Sequence, residues 1–290
     1  MTDVLGICES WEHGLVTVRR MDGSVVEFPT ADIVSGKPVP PRASVHRHLS
    51  AEQADRLAMP GWRPVESEPL GDWVLRASGG FSSRGNSAFA LGDPGISHAE
   101  AVDRVARWYD ARSLSPRAHV HQGTSEAEAF AAAGWSVYEQ TFLLLASVAR
   151  ALRLLGTSDA PEVRHDTVVD EAWLASDERA LRYGQPARAV LEAGEVTFAT
   201  IREQGEVLAR GRAAVHQDWV GVSSLWTRPE HRGTGLGSAV LRSLLEWGAE
   251  RGATTTYLQV VRSNEAARRI YEARGYEVHH RYDYLVREQV

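Results

Sequence analysis

The sequence LWTRPEHRGTGLGS, residues 225–238, decides the fold of this chain. It follows an apolar stretch, residues 219–226, that predicts a β-strand, and it opens an amphipathic stretch, residues 235–251, that predicts a helix. A glycine-rich loop at such a junction leaves backbone N–H groups unpaired at the helix N-terminus, where the helix dipole also attracts negative charge. Arg232 adds a guanidinium beside the loop. The pattern therefore predicts a phosphate-binding site, in which glycine lets the ligand approach the backbone closely.

Two common phosphate loops fit this sequence poorly. A P-loop requires a lysine between its last glycine and a serine or threonine, whereas Gly237 is followed directly by Ser238. A dinucleotide-binding fingerprint requires a third glycine, and that position is Val240 here. The strand predicted next, residues 255–261, also ends without the carboxylate that such a fingerprint uses to bind ribose.

A third pattern fits, in which arginine or glutamine is followed by x-x-Gly-x-Gly/Ala and preceded by L-x-V-x-P. It is filled by Leu225, Thr227, Pro229, Arg232, Gly235 and Gly237, with Thr227 replacing the usual valine. In these residues the chain resembles the GNAT superfamily of N-acetyltransferases. The resemblance implies the acyl-CoA N-acyltransferase fold, a mixed α/β architecture, with acetyl-CoA as cosubstrate and its diphosphate on the glycine loop.

A second segment supports the resemblance. Residues 257–276 read YLQVVRSNEAARRIYEARGY and predict a strand, then a helix over residues 265–274, with Gly275 as a left-handed cap. Asn264 and Tyr271 are seven residues apart, or about two helical turns, so both should lie along one face. The resemblance implies that this face lines the pantetheine and thiol end of coenzyme A. The alternative is that Tyr271 packs on the sheet.

The resemblance also assigns roles in acyl transfer. It implies that the backbone N–H of Leu225 polarises the thioester carbonyl and that Tyr271 protonates the departing sulfur, which makes these two the catalytic residues. Main-chain groups of Leu225 and Thr227 would pair with pantetheine as an added strand. The implied coenzyme A contacts are Leu225, Trp226, Thr227, Arg232, Gly233, Thr234, Gly235, Leu236, Gly237, Ser238, Asn264 and Tyr271.

The general base is not evident from the sequence. The strand before the glycine loop, WVGVSSLWT, carries no carboxylate. Candidates elsewhere are Glu178, Glu195, His216 and Asp218, and each is more readily explained as a surface residue. A base that acts through water, or an amine that enters already neutral, remains open.

Composition excludes several classes of protein. The chain has 290 residues, 43% of them hydrophobic, and its net charge of -6 gives no general attraction to nucleic acid or acidic membranes. Its single cysteine, Cys8, cannot form an internal disulfide, which agrees with a reducing compartment. The start, MTDVLGICES, does not read as a signal peptide, and no apolar run is long enough to span a bilayer. We therefore expect a cytoplasmic protein.

The chain divides into three predicted parts. Residues 1–45 predict a small β-barrel, with a hairpin at Asp22-Gly23 and a stiff linker over residues 37–42, and resemble the Src-homology-type barrel of some actinobacterial GNAT proteins. Residues 46–155 predict a degenerate GNAT-like half, and residues 156–290 predict the catalytic GNAT domain. Because tandem halves can form a pseudo-dimer, a monomer is favoured, although the oligomeric state stays open.

An internal repeat supports the two halves. Gly134-Trp135 aligns with Gly275-Tyr276, which places Phe130 where Tyr271 stands in the second half. The counterpart of the glycine loop, LGDPG at residues 91–95, lacks the arginine pattern, so the first half is predicted not to catalyse. His119 and His121 alternate on one strand there. They could form a metal pair or be packed histidines; the sequence favours packed histidines, and no metal is expected.

The predicted function is transfer of an acetyl group from acetyl-CoA directly to an amine, either a small molecule or a protein lysine or N-terminus. Two alternatives stay open. The protein binds acyl-CoA without turnover, as a sensor or scaffold, or it uses a longer acyl-CoA.

Overall fold

The computed structural model describes residues 4, 6–20, 24–33, 48–156 and 161–287, which belong to two compact units, Met1–Ala43 and Ser44–Val290. In the first unit, strands β1 (Ile7–Glu12), β2 (Leu15–Arg19) and β3 (Val25–Pro29) form an antiparallel sheet. The predicted pairing of β2 with β3 is confirmed. The Asp22-Gly23 turn and the linker at 37–42 lie outside the described residues, and closure into a barrel stays a prediction.

The second unit is built on one mixed sheet. Its strands are β4 (Glu66–Leu70), β5 (Trp73–Ala77), β6 (Ala88–Phe89), β7 (Arg117–His121), β8 (Ser136–Ser147), β9 (Arg164–Asp166), β10 (Glu195–Glu203), β11 (Glu206–His216), β12 (Trp219–Thr227), β13 (Thr255–Val261) and β14 (Glu277–Val286). Its helices are α1 (Ala51–Ala58), α2 (His98–Asp110), α3 (Ser125–Ala132), α4 (Val148–Leu155), α5 (Glu171–Ala175), α6 (Glu178–Tyr183), α7 (Gln185–Leu191), α8 (Leu236–Glu250) and α9 (Glu265–Glu272).

The sheet reveals how the two predicted halves are joined. Its strand order is β4-β5-β6-β7-β14-β8-β13-β12-β11-β10-β9. The last strand of the first half, β8, pairs with β13, and the last strand of the second half, β14, pairs with β7. The two exchanged strands also pair with each other at the centre. Each half therefore completes the sheet of the other. The division of the chain into three parts, residues 1–45, 46–155 and 156–290, stays a prediction.

The helices cover the two faces of this sheet. Because successive strand residues point to opposite faces, Leu144 and Ala146 of β8 join the apolar cluster under α8, whereas Leu143 and Leu145 join the cluster under α1. The predicted core face of α8 is confirmed, since Leu236, Val240, Leu241, Leu244 and Leu245 are all buried. None of the helices in the described part of the chain is long and apolar enough to cross a bilayer.

Candidate active site

Two parallel strands separate at the site. β12 and β13 pair only at Trp219–Thr255, Val220–Thr256 and Gly221–Tyr257. Beyond Gly221, no further β12–β13 pair is formed among the described residues, and residues 223–228 are all half-exposed. The Tyr257 side chain packs closely on Gly221 at the last pair, where a Cβ on Gly221 would lie 2.3 Å from the Tyr257 Oη atom. The open edge of β12 can therefore pair with a ligand that lies along it as an additional strand.

A β-bulge distorts the open end of β12. The β11–β12 register passes from Arg212–Ser223 to Arg210–Trp226, so Ser224 and Leu225 face a single residue, Gly211. Ser224 has a left-handed backbone (φ 54°), and its carbonyl accepts a hydrogen bond from Arg210 Nη1 at 2.6 Å. A Cβ on Gly211 would lie 2.9 Å from Leu225 Cδ2, so the glycine leaves room for the bulge. The bulge takes Leu225 out of the regular ladder, which re-aims its backbone groups.

The glycine loop at the start of α8 presents unpaired amides. Gly235 is the N-cap residue, with φ 91° and no side-chain cap. The first amides of the helix to be bonded are those of Ser238 and Ala239, both to the Gly235 carbonyl at 3.0 Å. The N–H groups of residues 233–237 donate no hydrogen bond to any residue that the structure describes. These amides and the helix dipole form a site for an anion.

The glycines of this loop have different roles. Gly233 and Gly235 have φ of +80° and +91° with open space around them, so the backbone conformation itself requires glycine. At Gly237 a Cβ would lie 2.9 Å from Thr227 Oγ1, so this glycine lets α8 pack close to the end of β12. Glycine is therefore needed at position 237 for helix–strand packing as well as for access of a ligand to the backbone. Arg232 donates from Nε to the Thr227 carbonyl at 3.3 Å.

The corresponding junction in the first half is filled by the protein's own side chains. Ser97 caps α2 with its side chain, which accepts from Glu100 N, whereas the N-cap of α8 is a glycine and has no side-chain cap. The Gly92 N–H donates to Glu126 Oε1 at 3.1 Å, and the Gly95 N–H donates to Asp93 Oδ1 at 2.8 Å. Two amides of this loop thus donate to carboxylates of the protein itself. This arrangement supports the prediction that the first half does not catalyse.

Helix α9 carries the second predicted segment. Asn264 is its N-cap, and its Oδ1 accepts from the Ala267 N–H at 3.1 Å, so its side chain has a structural role. The ring of Tyr271 packs against Tyr276, with centroids 5.9 Å apart, and burial raises the pKa of Tyr271 to about 12. Within the described chain its hydroxyl has no hydrogen-bond partner. Tyr271 is therefore a protonated donor at neutral pH.

A cavity of about 240 Å³ lies on the sheet face opposite α8. Its floor contains Gln259 and Val261 from the open end of β13, and its wall includes Tyr183 of α6. The remaining lining residues are Trp62, Gly80, Ser82, Ser83, Arg84, Arg117, Tyr138, Glu139, Thr141, Arg179, Tyr282 and Tyr284. The cavity thus lies beside the strand that diverges from β12.

One carboxylate and three guanidinium groups line this cavity. Burial raises the pKa of the half-buried Glu139, while the charges of Arg117, Arg179 and Arg84 oppose that rise. Among the described residues, none of these four side chains forms a carboxylate–guanidinium pair within 4.0 Å. Glu139 was missed in the sequence because it lies on β8, which reaches β13 only through the strand exchange.

The carboxylates and histidine considered from the sequence do not line the cavity. Glu195 pairs with Arg251 at 3.1 Å, and Asp218 accepts from Thr254 Oγ1 at 3.0 Å. Glu178 is exposed in the first turn of α6, and His216 is the last residue of β11. The structure therefore offers Glu139 as a better-placed carboxylate than any of these four.

Comparison with known proteins adds an independent finding. The family model described as "Probable histone acetyltransferase Rv0428c C-terminal" matches residues 47–285. The probable histone acetyltransferase Rv0428c of Mycobacterium tuberculosis is 30% identical over 95% of this chain and 86% of that protein. A GCN5-related N-acetyltransferase from Kribbella flavida has a TM-score of 0.61 at 19% identity, over 83% of this chain and 96% of that one. A tandem GNAT protein from the clavulanic acid biosynthesis pathway has a TM-score of 0.52 at 17% identity, over 66% and 68% of the chains.

Proposed function

This chain belongs to the GNAT superfamily of N-acetyltransferases, in the family of the Rv0428c C-terminal region, and from that premise we propose which cosubstrate and which acceptor it uses. It is an acyltransferase. The proposed reaction is direct transfer of an acetyl group from acetyl-CoA to an amine that also carries an acidic group. The observation that carries the cosubstrate is the row of five amides at residues 233–237, next to the open edge of β12, that donate to no residue in the described part of the chain.

Acetyl-CoA fits these two features together. Its diphosphate would accept hydrogen bonds from the amides of the glycine loop, with Arg232 adding positive charge. Its pantetheine arm would lie along β12 and pair with main-chain groups of Leu225 and Thr227. This placement directs the thioester towards the bulge at Ser224–Leu225 and the space between β12 and β13.

The reaction needs the protein to stabilise charge on the carbonyl oxygen, to stabilise the departing sulfur and to accept the amine proton. The amine nitrogen attacks the thioester carbon and forms the new C–N bond, the amine proton passes to a base, and the C–S bond breaks so that coenzyme A leaves as a thiolate. The backbone N–H of Leu225 would stabilise negative charge on the carbonyl oxygen. Tyr271 would donate a hydrogen bond to the departing sulfur, because burial raises its pKa to about 12 and the phenol therefore stays protonated at neutral pH.

Glu139 is the proposed base for the amine. It lines the cavity beside the open end of β13, on the face opposite α8. Burial raises the pKa of its carboxyl, which makes the carboxylate a better proton acceptor than an exposed glutamate. The proton moves from the attacking nitrogen to Glu139, directly or through one water molecule.

The charge of the cavity favours an acidic acceptor. Arg84, Arg117 and Arg179 bring three positive charges against one carboxylate, and none of them is neutralised by a described acidic side chain within 4.0 Å. Arginine binds carboxylates and phosphates through paired N–H donors. An amine with a nearby carboxylate would satisfy these groups, whereas a lysine in a basic protein tail would bring further positive charge to them.

The first experiment compares acetyl-CoA, coenzyme A and ATP in a thermal-shift titration of the full chain. Stabilisation by the first two and not by ATP supports the cosubstrate. Turnover is then measured with matched amines that differ only in a free carboxylate or its amide. Faster reaction of the carboxylate form is expected. Binding of acetyl-CoA without acetylation of any amine would favour the sensor reading, and a preference for the neutral or basic amines would overturn the proposed acceptor.

A further inference from the structure

Four polar side chains converge in the interior of the second unit, away from the glycine loop. Asp55 of α1 points to the sheet, where His119 and His121 of β7 and His280 of β14 meet it. The Nε2 atoms of these histidines lie 3.1, 2.8 and 3.0 Å from the same atom, Asp55 Oδ2. The side chains are only 4%, 14% and 10% exposed, and that of Asp55 is 1% exposed.

The local backbone directs these side chains to one point. His119 and His121 are two residues apart on β7 and therefore face the same side of the sheet. On β14 the register shifts between Val278 and His280, and this bulge re-aims the strand next to the cluster. His119 is further fixed by stacking on Tyr282, with ring centroids 4.0 Å apart.

Neutral imidazole rings cannot satisfy all the hydrogen bonds around this cluster. His279 Nε2 lies 3.1 Å from the Leu49 carbonyl, which can only accept, so this nitrogen carries a proton. In a neutral ring His279 Nδ1 is then an acceptor, and His280 Nδ1, at 2.8 Å, must donate to it. The Nε2 lone pair of a neutral His280 would consequently face the Asp55 carboxylate oxygen. The arrangement therefore needs one additional positive charge, supplied by a proton or by a metal ion.

The carboxylate shows a second imbalance. All three histidines approach Oδ2, while the buried Oδ1 of Asp55 has no hydrogen-bond partner among the described residues. An unpartnered buried carboxylate oxygen is costly unless a cation or donor is close. A metal ion held by Asp55 would draw on this carboxylate and on the ring lone pairs at the same time.

We propose that Asp55, His119, His121 and His280 form a structural Zn²⁺ site that joins α1 to strands β7 and β14. Three imidazole nitrogens and one carboxylate oxygen are a ligand set that suits tetrahedral zinc. At zinc–ligand distances of about 2.0–2.2 Å, neighbouring ligand atoms lie about 3.3–3.5 Å apart. The ligand atoms of Asp55, His119 and His121 already lie within 4.8 Å of one another. The His280 Nε2 atom lies 3.0 Å from Asp55 Oδ2 but outside that group of three, so this ring would have to move towards the other ligands to complete the site. His280 also lines a cavity that offers a path for entry.

From the sequence alone, His119 and His121 are predicted to be packed histidines rather than a metal pair, because two possible ligands on one strand are a weak indication of a metal site. The structure supplies the other two, from residues that lie 64 positions before His119 and 159 positions after His121 along the chain. The site is independent of the proposed acetyl transfer, since none of the four ligands lies in the glycine loop or lines the cavity that holds Glu139.

The test measures zinc binding by the full chain. After chelation and dialysis, the protein is titrated calorimetrically with Zn²⁺, and bound metal is counted by elemental analysis. One ion per chain is expected, with an unfolding temperature that rises with zinc and falls with chelator. Both effects should be lost or weakened by at least about 10-fold in Asp55→Asn and His121→Gln. His98→Gln is the control, because that ring stacks on Trp73 outside the cluster.

The two ligand variants keep the proposal testable if one of them folds poorly. His121 is the most exposed of the three histidines, and glutamine can still donate a hydrogen bond to Asp55 while binding zinc poorly. Folded wild-type protein that takes up no stoichiometric zinc would show a hydrogen-bonded histidine cluster only and would overturn the site. Equal zinc affinity in His121→Gln and wild type would overturn it as well.

Discussion

Arg274 donates a hydrogen bond from Nη2 to Ser238 Oγ at 2.9 Å, so the turn after α9 is tied to the first turn of α8. The bond connects the segment that carries Tyr271 with the helix end that carries the five amides of residues 233–237. The proposed diphosphate and thiol ends of the coenzyme site are thereby held in one arrangement.

Loss of this connection should weaken coenzyme binding. In Arg274→Ala we expect the KM for acetyl-CoA to rise by about 3- to 10-fold. This range corresponds to the loss of one hydrogen bond, which contributes about 0.5–1.5 kcal/mol. Steady-state kinetics at saturating acceptor measures it. Arg269→Ala is the control, because Arg269 lies on the exposed face of α9 and pairs only with Glu265 among the residues described. An equal change in both variants would point to a general effect on α9.

The left-handed glycine of the loop gives a second prediction. Gly235→Ala should cost about 1–2 kcal/mol in free energy of unfolding, because alanine is strained at a φ of +91°. It should also weaken acetyl-CoA binding by about 10-fold or more, since a relaxed loop would turn its amides away. Gly252→Ala, at φ +85° beyond the other end of α8, should lose similar stability and retain coenzyme affinity. Calorimetric titration and chemical denaturation separate the two effects.

Tyr271→Phe should lower kcat by about 10- to 10³-fold with little change in acetyl-CoA affinity. The hydroxyl has no hydrogen-bond partner among the described residues, so its removal breaks no contact in the free protein. Tyr276→Phe is the matched control. That hydroxyl bonds to Thr256 Oγ1 at 3.0 Å in the core, so the variant should lose about 1 kcal/mol of stability and keep kcat. An unchanged rate in Tyr271→Phe would remove this residue from the mechanism.

The pH profile tests Glu139. A base acts only when deprotonated, so kcat/KM should rise with pH through the pKa of Glu139, which burial places above its ordinary value. In Glu139→Gln this rise of kcat/KM with pH should disappear, and kcat/KM should fall by about 10²- to 10⁴-fold. Glu128→Gln, at an exposed position of α3, should keep both the rate and the profile. If kcat/KM of Glu139→Gln still rose with pH over the same range, the titrating base would be another group.

A substitution in helix α6 tests whether the acceptor amine carries an acidic group. Arg179→Gln should lower kcat/KM for an amine with a free carboxylate by about 10-fold and leave the matching amide unaffected. Arg182→Gln is the control, because Arg182 is exposed on the same helix and does not line the cavity. Equal loss for the carboxylate and its amide would mean that Arg179 only shapes the wall.

Local features of the fold were readable from the sequence. The helix predicted at 235–251 is α8, Leu236–Glu250, and the helix predicted at 265–274 is α9, Glu265–Glu272. Such features depend on neighbouring residues only.

The features that sequence reasoning missed depend on strand pairing. Glu139 reaches the cavity because β8 crosses to β13, and His280 reaches Asp55 because β14 crosses to β7. The repeat at Gly134 and Gly275 indicated two similar halves, but similar halves can lie side by side without exchanging strands. No local pattern in either strand distinguishes the two arrangements.

The crossed strands also constrain how this molecule can be trimmed. Deletion of the half with the self-capped loop would remove β8 and so strip β13 of the neighbour that covers one of its edges. The sheet of the second half therefore depends on the first half. A minimal version for engineering has to start from all of Ser44–Val290.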